Sequence, residues 1–466
     1  MTDDKSRRTI ALVTTTLASF LTPFMSSAVN IALPSIGREF SLSAVALGWI
    51  ATSFLLAAAI LLIPFGRLAD LYGQKRFFTY GVFIFTLASL LSAIAPSSLA
   101  LIAFRVLQGA GGAMIFSTGV AILTSVYPAG ERGKVLGINV TAVYIGISIG
   151  PFLGGVLTQN LGWRSIFLVN VPLGLFILGL TFWKFKGEWA EAKGERFDLG
   201  GSVVFSLTLI ALMVGFTLLP RISGAGLIFV SLLGMGTFVY LEKRTANPVL
   251  DIRLFQRNRV FAFSNLAALI NYSATAGTGF LLSLYLQYIK GLRPQSAGLV
   301  LLAQPIIQAL FSPLMGRLSD RIEPQIVASV GMSLTAGGLF LLTFISPAST
   351  LLFIVGCLVL LGFGFAQFSS PNMNAIMGSV EKRSYGVASA TLSTMRLIGQ
   401  MLSMGIAMMI LSISLGRVQI APDNYPLFMK SARMAFVVFA ILCAGGVFAS
   451  LARGKKMPGP SSSFSR

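Results

Sequence analysis

Over 466 residues this chain is 55% hydrophobic and only 11% charged, with a mean hydropathy of +0.82, values that exclude an ordinary soluble domain. It carries 35 lysines and arginines against 15 aspartates and glutamates, and it has no histidine, so the commonest metal ligand and the commonest general base are both missing. The two cysteines, Cys357 and Cys443, fall in apolar runs and read as small hydrophobes, not as a disulfide or redox pair. No metal site, cofactor or enzyme activity is expected.

A membrane helix needs roughly 20 apolar residues. In chain order, spans are predicted near residues 10–33, 44–65, 77–96, 100–126, 135–158, 166–184, 199–218, 224–241, 260–286, 297–315, 326–346, 349–375, 385–414 and 432–452. The first follows Lys5, Arg7 and Arg8 and is too long for a signal peptide. Fourteen spans put both termini on one side of the membrane. Most of the basic residues fall on that side, which assigns it to the cytoplasm. The net charge of +20 is then a topology signal, helped by attraction to anionic lipid, and not a nucleic-acid surface. The expectation is a monomeric integral protein of the cytoplasmic (inner) membrane, with lipid around it. Trp163 and Trp183, near opposite ends of the sixth span, fit the interfacial aromatic belts. The tail after residue 453, with Pro458, Pro460 and three consecutive serines, is expected to be disordered.

Gly66-Arg67-Leu68-Ala69-Asp70 is nearly repeated as Gly316-Arg317-Leu318-Ser319-Asp320, 316 − 66 = 250 residues later. Eight predicted spans lie between the copies, where a plain duplication of six would leave six. The surplus pair is the seventh and eighth spans, flanked by the charged connectors 184–198 and 242–259. The fold expected is therefore an all-α polytopic membrane protein of 14 transmembrane helices: a six-helix bundle (1–184), a connector with two extra helices (185–259), a second six-helix bundle (260–452) and a cytoplasmic tail (453–466). Repeated six-helix halves with a site near the midplane are a common transporter plan.

These residues also carry a family resemblance. Gly66 to Arg76 resembles the loop signature between the second and third helices of the major facilitator superfamily. Arg105, Gln108, Gly109, Gly111 and Gly112 are similar to its fourth-helix motif, and Gly146, Gly150, Pro151, Gly154 and Gly155 to the fifth-helix motif associated with antiporters. Trp163-Arg164-Ser165-Ile166-Phe167 with Asn170, Pro172 and Gly174, and Asn247-Pro248-Val249-Leu250-Asp251, resemble the fourteen-helix drug:proton antiporter branch. The resemblance implies a secondary transporter that moves small amphipathic compounds outward by alternating access, with protons as coupling partner.

Asp70 and Asp320 are placed in loops just after helix ends, where a carboxylate can meet helix amides and arginine and latch one conformation. Gly66, Arg67, Asp70, Gly73 and Arg76 form the first latch, and Gly316, Arg317, Asp320 and Arg321 the second; Leu71 stands where the family usually has a basic residue. Glycines 146, 150 and 154 recur every four residues on one helical face, with Pro151 able to bend it, so this motif is read as a packing seam and not as ligand contacts.

Two cations are predicted inside spans. Arg396 lies about eleven residues into its helix, roughly 17 Å at 1.5 Å per residue, and so near the midplane. Such a charge lines a cavity or meets a partner. Arg105 reads equally as a brace between helices. Gln108 and Gln400 face the same way as these arginines. Further candidate cavity residues are Met25, Asn30, Tyr144, Asn271, Tyr272, Gln304, Gln308 and Asn372, with Met114, Phe116, Phe365 and Phe368 around them. No aspartate or glutamate is predicted inside a span. The resembling branch typically has an aspartate where this chain has Met25. Three readings stay open: proton-linked export of amphipaths with a loop acid such as Asp70 or Glu131 titrating; carriage of anionic or neutral solutes by the arginines; and a lipid flippase or non-transporting sensor.

Overall fold

The computed structural model describes residues 2–128, 130–184, 187–190, 197–245, 250, 252–381 and 385–453. The tail, most of the first connector and all but Leu250 of the Asn247–Asp251 motif lie outside the described residues. Among those described, the chain is helical, as it must be where lipid offers no partner for backbone amides and carbonyls.

The first set of helices comprises α1 (Thr2–Glu39), α2 (Ala44–Tyr72), α3 (Gln74–Ala93), α4 (Ser98–Val126), α5 (Arg132–Leu161), the short α6 (Ser165–Leu168) and α7 (Asn170–Lys184). The connector leads into α8 (Leu199–Leu218) and α9 (Ile222–Arg244), a hairpin, and then the short α10 (Ile252–Arg257). The second set runs α11 (Arg259–Leu284), α12 (Pro294–Leu301), α13 (Ala303–Arg321), α14 (Pro324–Leu342), α15 (Leu351–Gly378), α16 (Tyr385–Ser414) and α17 (Tyr425–Leu451). Polar side chains set many starts: Ser43, Ser97, Asp198, Asn258 and Thr350 each accept an amide of the first turn.

Among the described residues thirteen segments are long and apolar enough to cross a membrane, with α6–α7 and α12–α13 each counting as one. The remaining predicted span is α11, whose Asn265, Asn271, Tyr272, Ser273 and Thr275 depress its hydropathy although its 26 residues suffice in length. With α11, packed against α15, α16 and α17, the fourteen-helix arrangement is complete. A π-helical turn, Tyr285–Ile289, carries this span past its predicted end. The aspartates of the repeat sit inside the last turns of α2 and α13, not in loops after them.

Within the first set, α1 packs on α5, α2 on α4 and α3 on α4; in the second, α11 packs on α16, α13 on α15 and α14 on α15 and α17. The two sets meet through α5 with α12, α2 with α16 and α1 with α11. Tyr127 Oη donates to the Arg8 carbonyl (2.8 Å) and Arg259 Nε to that of Ala452 (2.9 Å), so these residues mark one end of the molecule, called here the terminal end.

Candidate functional site

Where the two sets meet, the helices close the far end and leave a central cavity of about 260 Å³. Closure is built from small residues and short polar links. A Cβ on Gly298 would run into the Pro151 carbonyl, and one on Gly155 would meet the Pro294 carbonyl, so α5 and α12 touch backbone to backbone. Gln295 N donates to Gln159 Oε1 (3.3 Å) beside this contact. Gly48 on α2 receives the Met408 side chain from α16. Ser283 Oγ donates to the Asn30 carbonyl (2.6 Å) and Gln287 Nε2 to that of Ile31 (2.9 Å), tying α11 to α1 above the cavity.

Towards the terminal end the two sets part. Arg132, Gly133 and Lys134 at the start of α5, and Arg317, Asp320 and Arg321 at the end of α13, are exposed, and a Cβ on Gly133 or Gly137 would point into open space. The shape is that of a transporter open at one end and sealed at the other.

Regular helical spacing delivers the lining. Ser26 and Asn30 project from α1, Tyr144 and Pro151 from α5, Tyr272 and Thr275 from α11, Gln304 and Gln308 from α13, and Ser393, Arg396, Gln400 and Met404 from α16. Phe54, Phe116 and Phe365 add aromatic wall. Among the described residues Arg396 is the one basic side chain on this lining, with its Cζ 5.5 Å from the centroid of the Tyr272 ring. Phe365 meets the same tyrosine edge-on at 5.4 Å. This approach depends on Gly399, where a Cβ would lie 2.7 Å from the Leu269 carbonyl oxygen and 2.8 Å from Tyr272 Cβ.

Seven of the predicted cavity residues, Asn30, Tyr144, Tyr272, Gln304, Gln308, Arg396 and Gln400, therefore sit on the lining. Met25, Arg105, Gln108, Asn271 and Asn372 do not: each is at most 2% exposed and presents no surface to a ligand. Arg105 is a brace. Its Nε donates to the Ile50 carbonyl (3.1 Å), its Nη1 to Gln108 Oε1 (2.6 Å), and its guanidinium lies 4.5 Å from the Phe54 ring centroid. Gln108 Nε2 continues the chain to Ser89 Oγ (2.7 Å), so α2, α3 and α4 are joined. Met25 faces Asn170 of α7, whose Nδ2 lies 3.2 Å from its sulfur, so the position expected to hold an acid points away from the cavity here. Met114 and Phe368 are likewise off the lining, while Phe116 and Phe365 are on it.

The antiporter-like glycines divide between two tasks. Gly146, Gly150 and Gly154 pack on α1 within their own set, against Phe20, Ser27 and Ala28, whereas Gly155 and Pro151 meet α12 across the far-end seal. Gly298 and Gly399 escaped the sequence reading, because a lone glycine on an apolar helix gives no sign of what approaches it.

Of the latch residues, Gly66 lies near Ser117, Gly316 near Ser370, and Asp70 Oδ1 accepts from Gln74 Nε2 (3.1 Å). Gly73 turns with φ +123° between α2 and α3. Glu188 of the connector packs against Gly73, accepts from Lys75 N (2.9 Å) and pairs with Arg76 (3.5 Å), while the Trp189 carbonyl accepts from Gln74 N (2.8 Å). At the far end, Trp163 Nε1 and Arg164 both hold Glu39 (each 2.7 Å), fastening α1 to the α5–α6 turn. Trp163 is thus buried within the bundle, and only Trp183, 77% exposed, faces outward as a belt residue would.

Comparison with known proteins decides the family. The Major Facilitator Superfamily model matches residues 15–244 and 264–465. This chain belongs to the major facilitator superfamily. Its relatives include Multidrug resistance protein Stp of Mycobacterium tuberculosis (strain CDC 1551 / Oshkosh), 34% identical over 84% of this chain and 73% of that protein. Riboflavin transporter RibZ of Clostridioides difficile is 30% identical over 83% and 84% of the two chains, and Cephamycin export protein CmcT of Amycolatopsis lactamdurans 32% over 85% and 84%. Among solved structures, a bacterial homolog to the human lysosomal transporter Spinster, inward-facing and unoccupied, superposes with a TM-score of 0.67 at 21% identity, covering 96% of this chain and 97% of that one. The superfamily chain described here is accordingly an integral membrane transporter and not an enzyme.

Proposed function

We propose that this chain is a secondary active exporter of small amphipathic organic compounds, working by alternating access in the cytoplasmic membrane with both termini inside. The observation that carries the reading is the central cavity itself: aromatic walls and neutral polar groups, sealed at the far end and parted at the terminal end. Two six-span bundles, 1–184 and 260–452, rock about that cavity, with the inserted pair between them in sequence. Relatives named for multidrug resistance and for cephamycin export support outward transport of varied compounds, and a relative named for riboflavin supports a planar amphipathic cargo. The proton-linked form of this cycle would titrate a group such as Asp70 or Glu131 outside the cavity, because no carboxylate lines it among the described residues.

Purified protein in lipid vesicles loaded with amphipathic fluorophores is the test. Protein-dependent, saturable loss of at least one dye is expected; retention of every dye at the rate of protein-free vesicles would contradict the reading.

A further inference from the structure

The cavity holds a charge with no counter-charge. Arg396 lines it and makes no ion pair among the described residues; the Tyr272 ring lies 5.5 Å from its Cζ. Gln304, Gln308, Gln400, Asn30 and Tyr144 complete a neutral polar set. The described acids that fall within the spans, Glu39, Asp70, Glu242, Asp320 and Asp423, all lie in their end turns. A guanidinium in a partly dehydrated, aromatic-walled space recognises a planar carboxylate or sulfonate through paired hydrogen bonds, while the aromatic faces take the apolar body. A cationic amphipath would meet Arg396 there with nothing to offset the repulsion.

From this arrangement we propose that the cargo is an aromatic organic anion held by Arg396, and that its export is driven by the membrane potential without proton exchange. This rests on reading the cavity as the translocation site. Arg396 stays near the middle of the membrane while access switches around it, so one turnover moves one anion and no proton. An interior-negative potential pushes that anion outward. At 100 mV one charge is worth about a 50-fold gradient at equilibrium, enough to export without a second ion.

The experiment uses the full chain in vesicles with equal pH on both sides and a potassium diffusion potential. Three fluorescent probes keep their charge at all working pH values: a naphthalene sulfonate, a quaternary quinolinium and the uncharged riboflavin. Sulfonate movement is expected to follow the sign of the potential and to persist at zero pH difference. Arg396→Gln is expected to slow it about 10- to 100-fold, the cost of one charge-assisted contact, and Arg396→Lys to restore most of it. Monodisperse elution and an unchanged melting temperature check that the glutamine variant folds, and the lysine variant carries the test if it does not. Three results would overturn the inference: quinolinium moved in preference to sulfonate, sulfonate flux equal in wild type and Arg396→Gln, or flux that appears only with a pH gradient. Riboflavin moved without sulfonate overturns the anion assignment and leaves the exporter reading standing, whereas no probe moved overturns both.

Discussion

Arg105 and Arg396 share a functional group and differ in everything around it. The first spends its donors on the Ile50 carbonyl and Gln108, with Phe54 stacked beneath; the second opens onto the cavity beside Tyr272. Arg105→Met is therefore expected to destabilise the first set by roughly 1–3 kcal/mol for each buried group left without a partner, with ligand affinity of the folded fraction unchanged. Thermal unfolding in detergent, paired with dye binding, measures both; an unchanged melting temperature with lost binding would refute the brace. The sequence reading weighed these two roles equally for Arg105, because three-residue spacing shows that Gln108 shares its face but not what lies opposite. The same limit explains Met25, Asn271 and Asn372: a polar or unusual residue in an apolar run is visible, and the partner that buries it is not. Arg396 and Gln400 were legible because their depth along α16 follows from simple counting.

At the scale of elements, the far-end seal and the connector make separate demands. Gly298→Val places methyl groups against the Pro151 carbonyl, so α5 and α12 are expected to spring apart while each set stays folded. With Thr275→Cys on the cavity lining as reporter, thiol labelling from the far side should rise several-fold, against a low background because Cys357 and Cys443 are buried. Unaltered labelling would mean that the seal lies elsewhere. Glu188→Gln removes the charge that caps α3 and pairs with Arg76, contacts worth about 1 kcal/mol together at such an exposed site. Faster tryptic cleavage at Lys184 is the expected sign, and equal cleavage would show that Trp189 alone holds the connector. The inserted hairpin leans on both sets: α8 packs on α2 and α16, and Ser412 Oγ donates to the Leu219 carbonyl (2.9 Å). Its existence was readable from the 250-residue spacing, since composition counts spans well. Its placement beside α2 and α16 was not, because neither apolar helix face carries a mark of its neighbour.

For the whole molecule, span number and the order of the helices follow from hydropathy and one repeated pentapeptide, and the described helices agree in order. What hydropathy lacks is the conformation. The meeting of Gly155 with Pro294 and of Gly298 with Pro151, with the links from Gln295 to Gln159 and from Ser283 to Asn30, shows which end is shut. Alternating access demands that this seal open once per cycle. The most direct measurement locks it: Gln159→Cys with Gln295→Cys, neighbours across the seal, joined by a short thiol cross-linker that a reductant cleaves. Dye transport in vesicles is expected to stop when the link forms and to return on reduction. Transport that continues through the locked state would contradict the account.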